Sequence, residues 1–268
     1  MEKQLFFNSD DISLFGVKYQ PEVFNNKGFL IIHPFAEEKK SSQRTLVEIA
    51  EALCKAGFYV FMFDLRGCGD SQGQFKEASI SDWLRDIHRA LAFFKEESKI
   101  DDISIIGLRL GAYLAMLYNS HVECKKLILI EPILHPVDYL RKTLRHKLIK
   151  ELCTEGEIQS RRDDLIGKLK ENISVDFDGH ELSALFYKDL IFQEGLYNPG
   201  NLVKAIKGSY LISISLTGKI SKDSAEFVRL NSQITYKVLK MELFWDKVDE
   251  ISTDELIGEV LGYCLANY

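Results

Sequence analysis

The chain has 268 residues, 46% of them apolar and 28% charged, a balance that gives one large α/β domain or two small ones with a sizeable core. A net charge of −6 at pH 7 offers no electrostatic footprint for nucleic acid, and no apolar run approaches the roughly 18 residues that cross a bilayer. The opening MEKQLFFNSDD lacks the basic-then-apolar layout of a signal peptide, so a cytoplasmic protein is expected.

In chain order, Gln4–Asn8 and Ile12–Tyr19 alternate apolar and polar residues, which predicts an antiparallel hairpin. Gly28–His33 (GFLIIH) is a continuous apolar run, the mark of a strand buried on both faces. Ser42–Ala56 places Leu46, Ile49, Ala50 and Leu53 on one helical face and is stopped by Gly57. Phe58–Gly67 predicts a second buried strand ending in a turn. Ser81–Lys95 predicts a helix with Trp83, Ile87, Ala90 and Phe94 on its inner face. Ile103–Gly107 is a third strand, Arg109–Tyr118 a helix apolar nearly all round, and Lys126–Ile130 a fourth strand. Strict alternation from residue 28 to residue 130 implies a parallel sheet covered by helices on both faces.

The pattern breaks over residues 133–205, which are rich in charge, helix-like, and without a buried-strand run. This segment reads as a cap laid over one end of the sheet of a single domain spanning 1–268. Alternation resumes with a strand at Ser209–Leu216, a helix at Ser221–Leu230, a strand at Ile234–Lys240 and a last helix at Thr253–Ala266, with Ser252 as its expected cap. Cys54, Cys68, Cys124, Cys153 and Cys264 are odd in number and form no C-x-x-C pair, so neither a disulfide framework nor a metal site is expected, nor any cofactor.

Ligands of an open parallel sheet bind beyond the carboxyl ends of its strands. Four turns qualify, after His33, Asp64, Gly107 and Ile130. The third reads GLRLG, Gly107–Gly111. Glycines there suit a cramped strand-to-helix elbow of the G-x-S-x-G kind, but the centre is Arg109, which cannot lose its proton and cannot attack. A guanidinium at a helix start suits a carboxylate or phosphate. The other reading is a structural pair with Glu131 or another nearby acid. The first turn, HPFAEEKKS, would supply Phe35 or Ala36 as one backbone N–H donor of an oxyanion-type site, and Leu110 the other. In the second, DLRGCGDSQG, the lysine of a P-loop is absent, and Asp64, Arg66, Asp70 and Ser71 are expected to hold the loop together.

Two partners of a serine triad are hard to find. Asp223 is the best candidate acid. The loop after the last strand, KMELFWDKVDE, holds no histidine, and all six histidines precede residue 181. Trp245 in that loop would form either a flat cleft wall or plain core.

The layout resembles the α/β-hydrolase fold over nearly the whole chain. The stretches HPFAEEKKSSQRTLVEIAEALCKAGF, DLRGCGDSQGQF, GLRLGA and LILIEPILHPVDYLRKTLR, and more weakly DGHELSALFYKDL, resemble one narrow group, the exosortase-A-system-associated hydrolases of type 2. That resemblance implies arginine at the elbow as a group trait, a bacterial setting concerned with exopolysaccharide assembly and protein sorting, and no particular reaction. Glu131 departs from the glutamine expected before the proline.

Three functions stay open. The cleft binds an anionic or carbonyl-bearing small molecule through Arg109, Leu110, Phe35, Ala36, Glu131 and Trp245. Alternatively, Ser71, Cys68 or His33 acts as a relocated catalytic group in a hydrolase or acyltransferase. Or the protein is a scaffold, a homodimer or the partner of biosynthetic enzymes, acting through charged cap residues such as Arg141, Lys142, Arg145, Lys147, Arg161 and Arg162.

Overall fold

A computed structural model of the chain describes residues 1–122, 126–155, 162–177, 179–206, 208–247 and 251–268, with the side chains of 146–155, 162, 163, 177 and 205 also left aside. Cys124 and Arg161, and the side chains of Lys147, Cys153 and Arg162, therefore lie outside the described residues.

The hairpin β1 (Glu2–Ser9) and β2 (Ile12–Tyr19) turns at Asp10, whose φ is +53°. Strands β3 (Lys27–Ile32), β4 (Tyr59–Phe63), β5 (Asp102–Leu108) and β6 (Leu127–Ile130) follow, with β9 (Tyr210–Ser215) and β10 (Thr235–Lys240) after the insertion. They form one eight-stranded sheet in the order β1-β2-β4-β3-β5-β6-β9-β10. The β1–β2 and β2–β4 pairs are antiparallel, and every other pair is parallel. Alternation along β3 feeds both faces. Leu30 and Ile32 join a core with Trp83 and Tyr113, while Phe29 and Ile31 join another with Ile49, Trp245 and Leu256. Helices α2 (Ile80–Ser98) and α3 (Leu110–His121) cover the first face, α1 (Ala36–Lys55) and α9 (Asp254–Asn267) the second.

The helix expected at Ser42 begins six residues earlier, at Ala36. Its first turn carries Glu37 and Glu38, which suit the positive end of the helix dipole but show no apolar period. At the other end of the chain, Ser252 does not cap α9. Thr253 is the N-cap residue, without a side-chain bond, and the Ser252 hydroxyl donates to Asp254 at 2.9 Å.

Between β6 and β9 the chain forms α4 (Pro136–Glu155), α5 (Arg162–Lys170), α6 (Ala184–Leu196) and α7 (Pro199–Ala205). It also forms a small ribbon, β7 (Val175–Phe177) with β8 (His180–Leu182). The ribbon's three-residue strands are too short to register as apolar runs, although Asp178-Gly179 between them is a hairpin signal. Helix α8 (Lys222–Arg229) links β9 to β10. Among the described residues no helix is long and apolar enough to cross a membrane.

Candidate functional site

The elbow lies between β5 and α3. Arg109 sits at φ +56°, ψ −117°, its N–H donating to the Ile130 carbonyl at 2.9 Å. Its carbonyl accepts from the Ala112 N–H at 3.1 Å and from the Ile133 N–H at 3.3 Å. A Cβ on Gly107 would stand 2.5 Å from the Ala112 Cα, and one on Gly111 2.4 Å from the Ile32 carbonyl oxygen. Both glycines are thus required by backbone that cannot step aside. Gly111→Ala is expected to cost about 2 kcal/mol as overpacking against main chain. A urea midpoint unchanged from the parent protein would show that the elbow can relax.

Two further non-glycine residues in the turns beside the elbow have positive φ, Ala36 after β3 at +48° and Glu131 after β6 at +40°. Such conformations cost roughly 1–3 kcal/mol each, persist only where surrounding structure over-determines them, and cluster at functional sites.

The Arg109 guanidinium is already paired. Its Nη2 lies 3.1 Å from Glu38 Oε1 and its Nε 3.3 Å from Oε2, with both side chains largely buried (17% and 12% exposed). The Trp245 ring centre lies 4.8 Å from the guanidinium carbon and the Tyr139 ring centre 5.5 Å, so two aromatic side chains flank the cation. Burial raises the Glu38 carboxyl above the usual range, against the pull of Arg109 and a hydrogen bond with Tyr139. Burial also opposes the charge on Arg109, but Glu38 more than offsets it and raises its pKa.

The structural partner is therefore Glu38 and not Glu131. Glu131 accepts the Ile214 N–H at 2.6 Å and the Ser213 hydroxyl at 3.0 Å, joining β6 to β9. It adds its field to Arg109 without forming an ion pair with it. Trp245 is core: it is buried in the 3-10 turn after β10, and its ring lies against the cation.

Ala36 and Leu110 occupy the first positions of α1 and α3, where a backbone N–H has no intrahelical acceptor. The Phe35 ring stacks on Phe186 of α6 at 5.6 Å and meets Phe75 at 5.5 Å, tying the turn after β3 to the insertion. Asp223 does not join the site. It is exposed in the first turn of α8, with no hydrogen bond or ion pair to Arg109 or Glu38 among the described residues.

Asp64, Asp70 and Ser71 bond to one another in the second turn as expected, whereas the Arg66 side chain bonds outside the loop. Ser71 donates to the Asp64 carbonyl at 2.5 Å and accepts the Phe15 N–H at 2.9 Å. Asp64 pairs with Lys39 at 2.9 Å. Arg66 reaches the fully buried Asp86 on α2 at 2.7 Å. Burial pushes the Cys68 thiol up to about 12. His33 is pushed down to about 4 by burial and then by Lys39. Its Nδ1–H donates to the Pro34 carbonyl at 2.7 Å and its Nε2 accepts the Leu65 N–H at 3.3 Å.

Comparison with known proteins agrees with this frame. No curated protein matches the chain. Among solved structures it is similar to the Est1E protein of Butyrivibrio proteoclasticus, solved with ferulic acid bound, at a TM-score of 0.70 and 17% identity over 98% of both chains. It is also similar to the Pyrococcus furiosus esterase Pf2001, at 0.65 and 18% over 99% of this chain and 91% of that one. An alpha-beta serine hydrolase homologue from Coxiella burnetii matches at 0.63 and 15%, over 97% of this chain and 96% of that one. Residues 28–175 match the family described as serine aminopeptidase, S33. More than half the chain, the elbow included, lies within that match, and the chain belongs to this family of α/β hydrolases.

Proposed function

We propose that this family member does not cleave esters or amides through its elbow and acts instead as a non-catalytic protein of the hydrolase fold, a single domain over 1–268 with residues 133–205 as its cap. The observation that carries this reading is the Glu38–Arg109 pair flanked by Trp245 and Tyr139: the elbow side chain is a fixed cation, and its charge is spent inside the fold. The relocated groups offer no substitute. Ser71 is engaged on both sides of its hydroxyl, the Cys68 thiol stays protonated near neutral pH, and both His33 nitrogens are occupied. Such a protein works by recognition, of a second copy or of a biosynthetic enzyme. The likeness of FAEE, GCGDS and GLRLG to the exosortase-A-associated group supports a bacterial exopolysaccharide or protein-sorting locus as the setting.

Fluorophosphonate and iodoacetamide probes are expected to leave Ser71 and Cys68 of the folded protein unlabelled. A stoichiometric adduct on Ser71 or Cys68 would restore the hydrolase or acyltransferase reading.

A second reading is favoured by the three strained residues around the elbow and by the raised Glu38 carboxyl. A protonated Glu38 releases the guanidinium, and a small carboxylate or carbonyl compound then takes its place beside Arg109 and the Leu110 and Ala36 N–H groups. This reading expects acetate or benzoate to raise the melting temperature more at mildly acid than at neutral pH, and only with Arg109 present. Equal shifts in the Arg109→Ala variant remove it.

A further inference from the structure

We propose that the cavity between α1 and strands β2, β3 and β4 is a binding site for a neutral, hydroxyl-bearing aromatic molecule about the size of phenol. It is separate from the elbow, and neither reading of Arg109 is needed for it.

The cavity has a volume of about 170 Å³. An apolar cavity of about 150 Å³ accepts benzene, so one six-membered ring fits. Its apolar wall is a single row across three strands, because Met62 of β4 is in register with Val17 of β2 on one side and Ile31 of β3 on the other. Leu46 and Val47 of α1 face that row, and Tyr19 closes it along β2. Few polar groups converging on an apolar pocket are the usual build of a small-molecule site.

The polar end is the Lys39–Asp64 pair, 2.9 Å apart and about one-sixth exposed on each side (17% and 15%). Asp64 accepts Lys39 on Oδ1 and the Asp70 N–H, at 3.0 Å, on Oδ2. A carboxylate has about four acceptor positions and an ammonium three N–H groups, so both partners retain bonding capacity. A hydroxyl donates and accepts at once, and can therefore bridge the two. A hydrocarbon or an ether cannot. The loop is shaped to the pair: Gly69, at φ +53°, runs so close that a Cβ there would stand 1.9 Å from Asp64 Oδ2.

Charge selects a neutral head. Lys39 contributes one positive charge, Asp64 and the rim residue Asp70 one negative charge each, and His33 at the cavity wall is neutral, leaving one net negative charge against an anion. An ammonium head would meet Lys39 itself.

The test is a titration of protein carrying 13C-methyl methionine with phenol, toluene, benzoate and benzylamine in turn, read at the Met62 methyl with Met116 as the internal control. Phenol is expected to shift Met62 saturably and to bind at least tenfold more tightly than each of the other three, leaving Met116 unmoved. Val47→Phe, which fills the cavity from a half-buried helix position, is expected to weaken phenol tenfold or more at an unchanged melting temperature. Binding of toluene as tight as phenol overturns the head-group assignment. Tighter benzoate or benzylamine overturns the charge argument. A Met62 methyl unmoved by millimolar phenol overturns the site. The wild-type titration decides even where the variant does not fold.

Discussion

Glu38→Ala is expected to destabilise the protein by about 3 kcal/mol, and Glu38→Met combined with Arg109→Met to recover most of that loss. Removing one partner of a buried ion pair strands the other charge in a poorly solvated place, which costs about 3–5 kcal/mol. The low end applies because the pair keeps some contact with solvent (17% and 12% exposed). Replacing both partners with apolar side chains strands nothing, and two thioethers between Trp245 and Tyr139 gain sulfur–aromatic contact. The single losses are also unequal. Arg109→Ala leaves a carboxyl that can take up a proton, and burial already favours that proton. Glu38→Ala leaves a guanidinium that cannot shed one. Arg109→Ala should therefore be the milder change, increasingly so as pH is lowered. Urea midpoints of Glu38→Ala, Arg109→Ala and the Glu38→Ala/Arg109→Ala double variant form a double-mutant cycle, in which a coupling energy near zero would show that the contact is geometry without energy, and the double-methionine variant is compared directly with wild type.

The frame of this site was legible in the sequence because it is local. Gly107 and Gly111 two positions either side of Arg109, between an apolar run and an apolar helix, specify a crowded elbow wherever the rest of the chain goes. The buried strands from Gly28 to Ile130 were legible for the same reason: continuous apolar runs have no other place than a sheet covered on both faces. What the sequence hid is where consecutive charges point. Glu37, Glu38 and Lys39 look alike as a polar run, yet each takes a different partner. Glu37 pairs with Lys40 one turn on, Glu38 crosses to Arg109 71 positions away, and Lys39 crosses to Asp64. Helical periodicity does not separate them, since the apolar period runs over Ser42–Ala56, beyond all three. Glu131 misled for the opposite reason. It is near Arg109 in the fold, but the Ile214 N–H and the Ser213 hydroxyl on the next strand both donate to its Oε2 and hold it there. Asp223 follows β9 in the order an acid should, but its helix turns it to solvent.

The wild-type protein is expected to lose about 3 kcal/mol of stability between pH 6.5 and pH 4 through His33 alone, and His33→Gln to lack that part of the slope. The imidazole is pushed from its ordinary 6.5 to about 4, first by burial and then by the neighbouring Lys39, while Asp64 and the Pro34 carbonyl pull the other way. Within that window the unfolded chain holds a proton on His33 and the folded chain does not. Stability therefore rises with pH across it and is lost as pH falls, by about 1.36 kcal/mol per pH unit. Glu38 and Glu131 act with the opposite sign. Their raised carboxyls hold protons in the folded state above the range where the unfolded chain releases them, so their share of the stability declines as pH rises. The total pH profile mixes these contributions, and only the difference between wild type and His33→Gln isolates the histidine. Glutamine can keep an acceptor for the Leu65 N–H, so the comparison removes the titration without stranding that donor. Parallel profiles for the two proteins from pH 7 to pH 4 would mean that His33 takes up its proton in the folded state as readily as in the unfolded one. A proton on Nε2 removes the acceptor of the Leu65 N–H and leaves the Nδ1–H bond to Pro34 intact, so the contact between the turn after β3 and the backbone at Leu65 would be the one that opens at mild acidity.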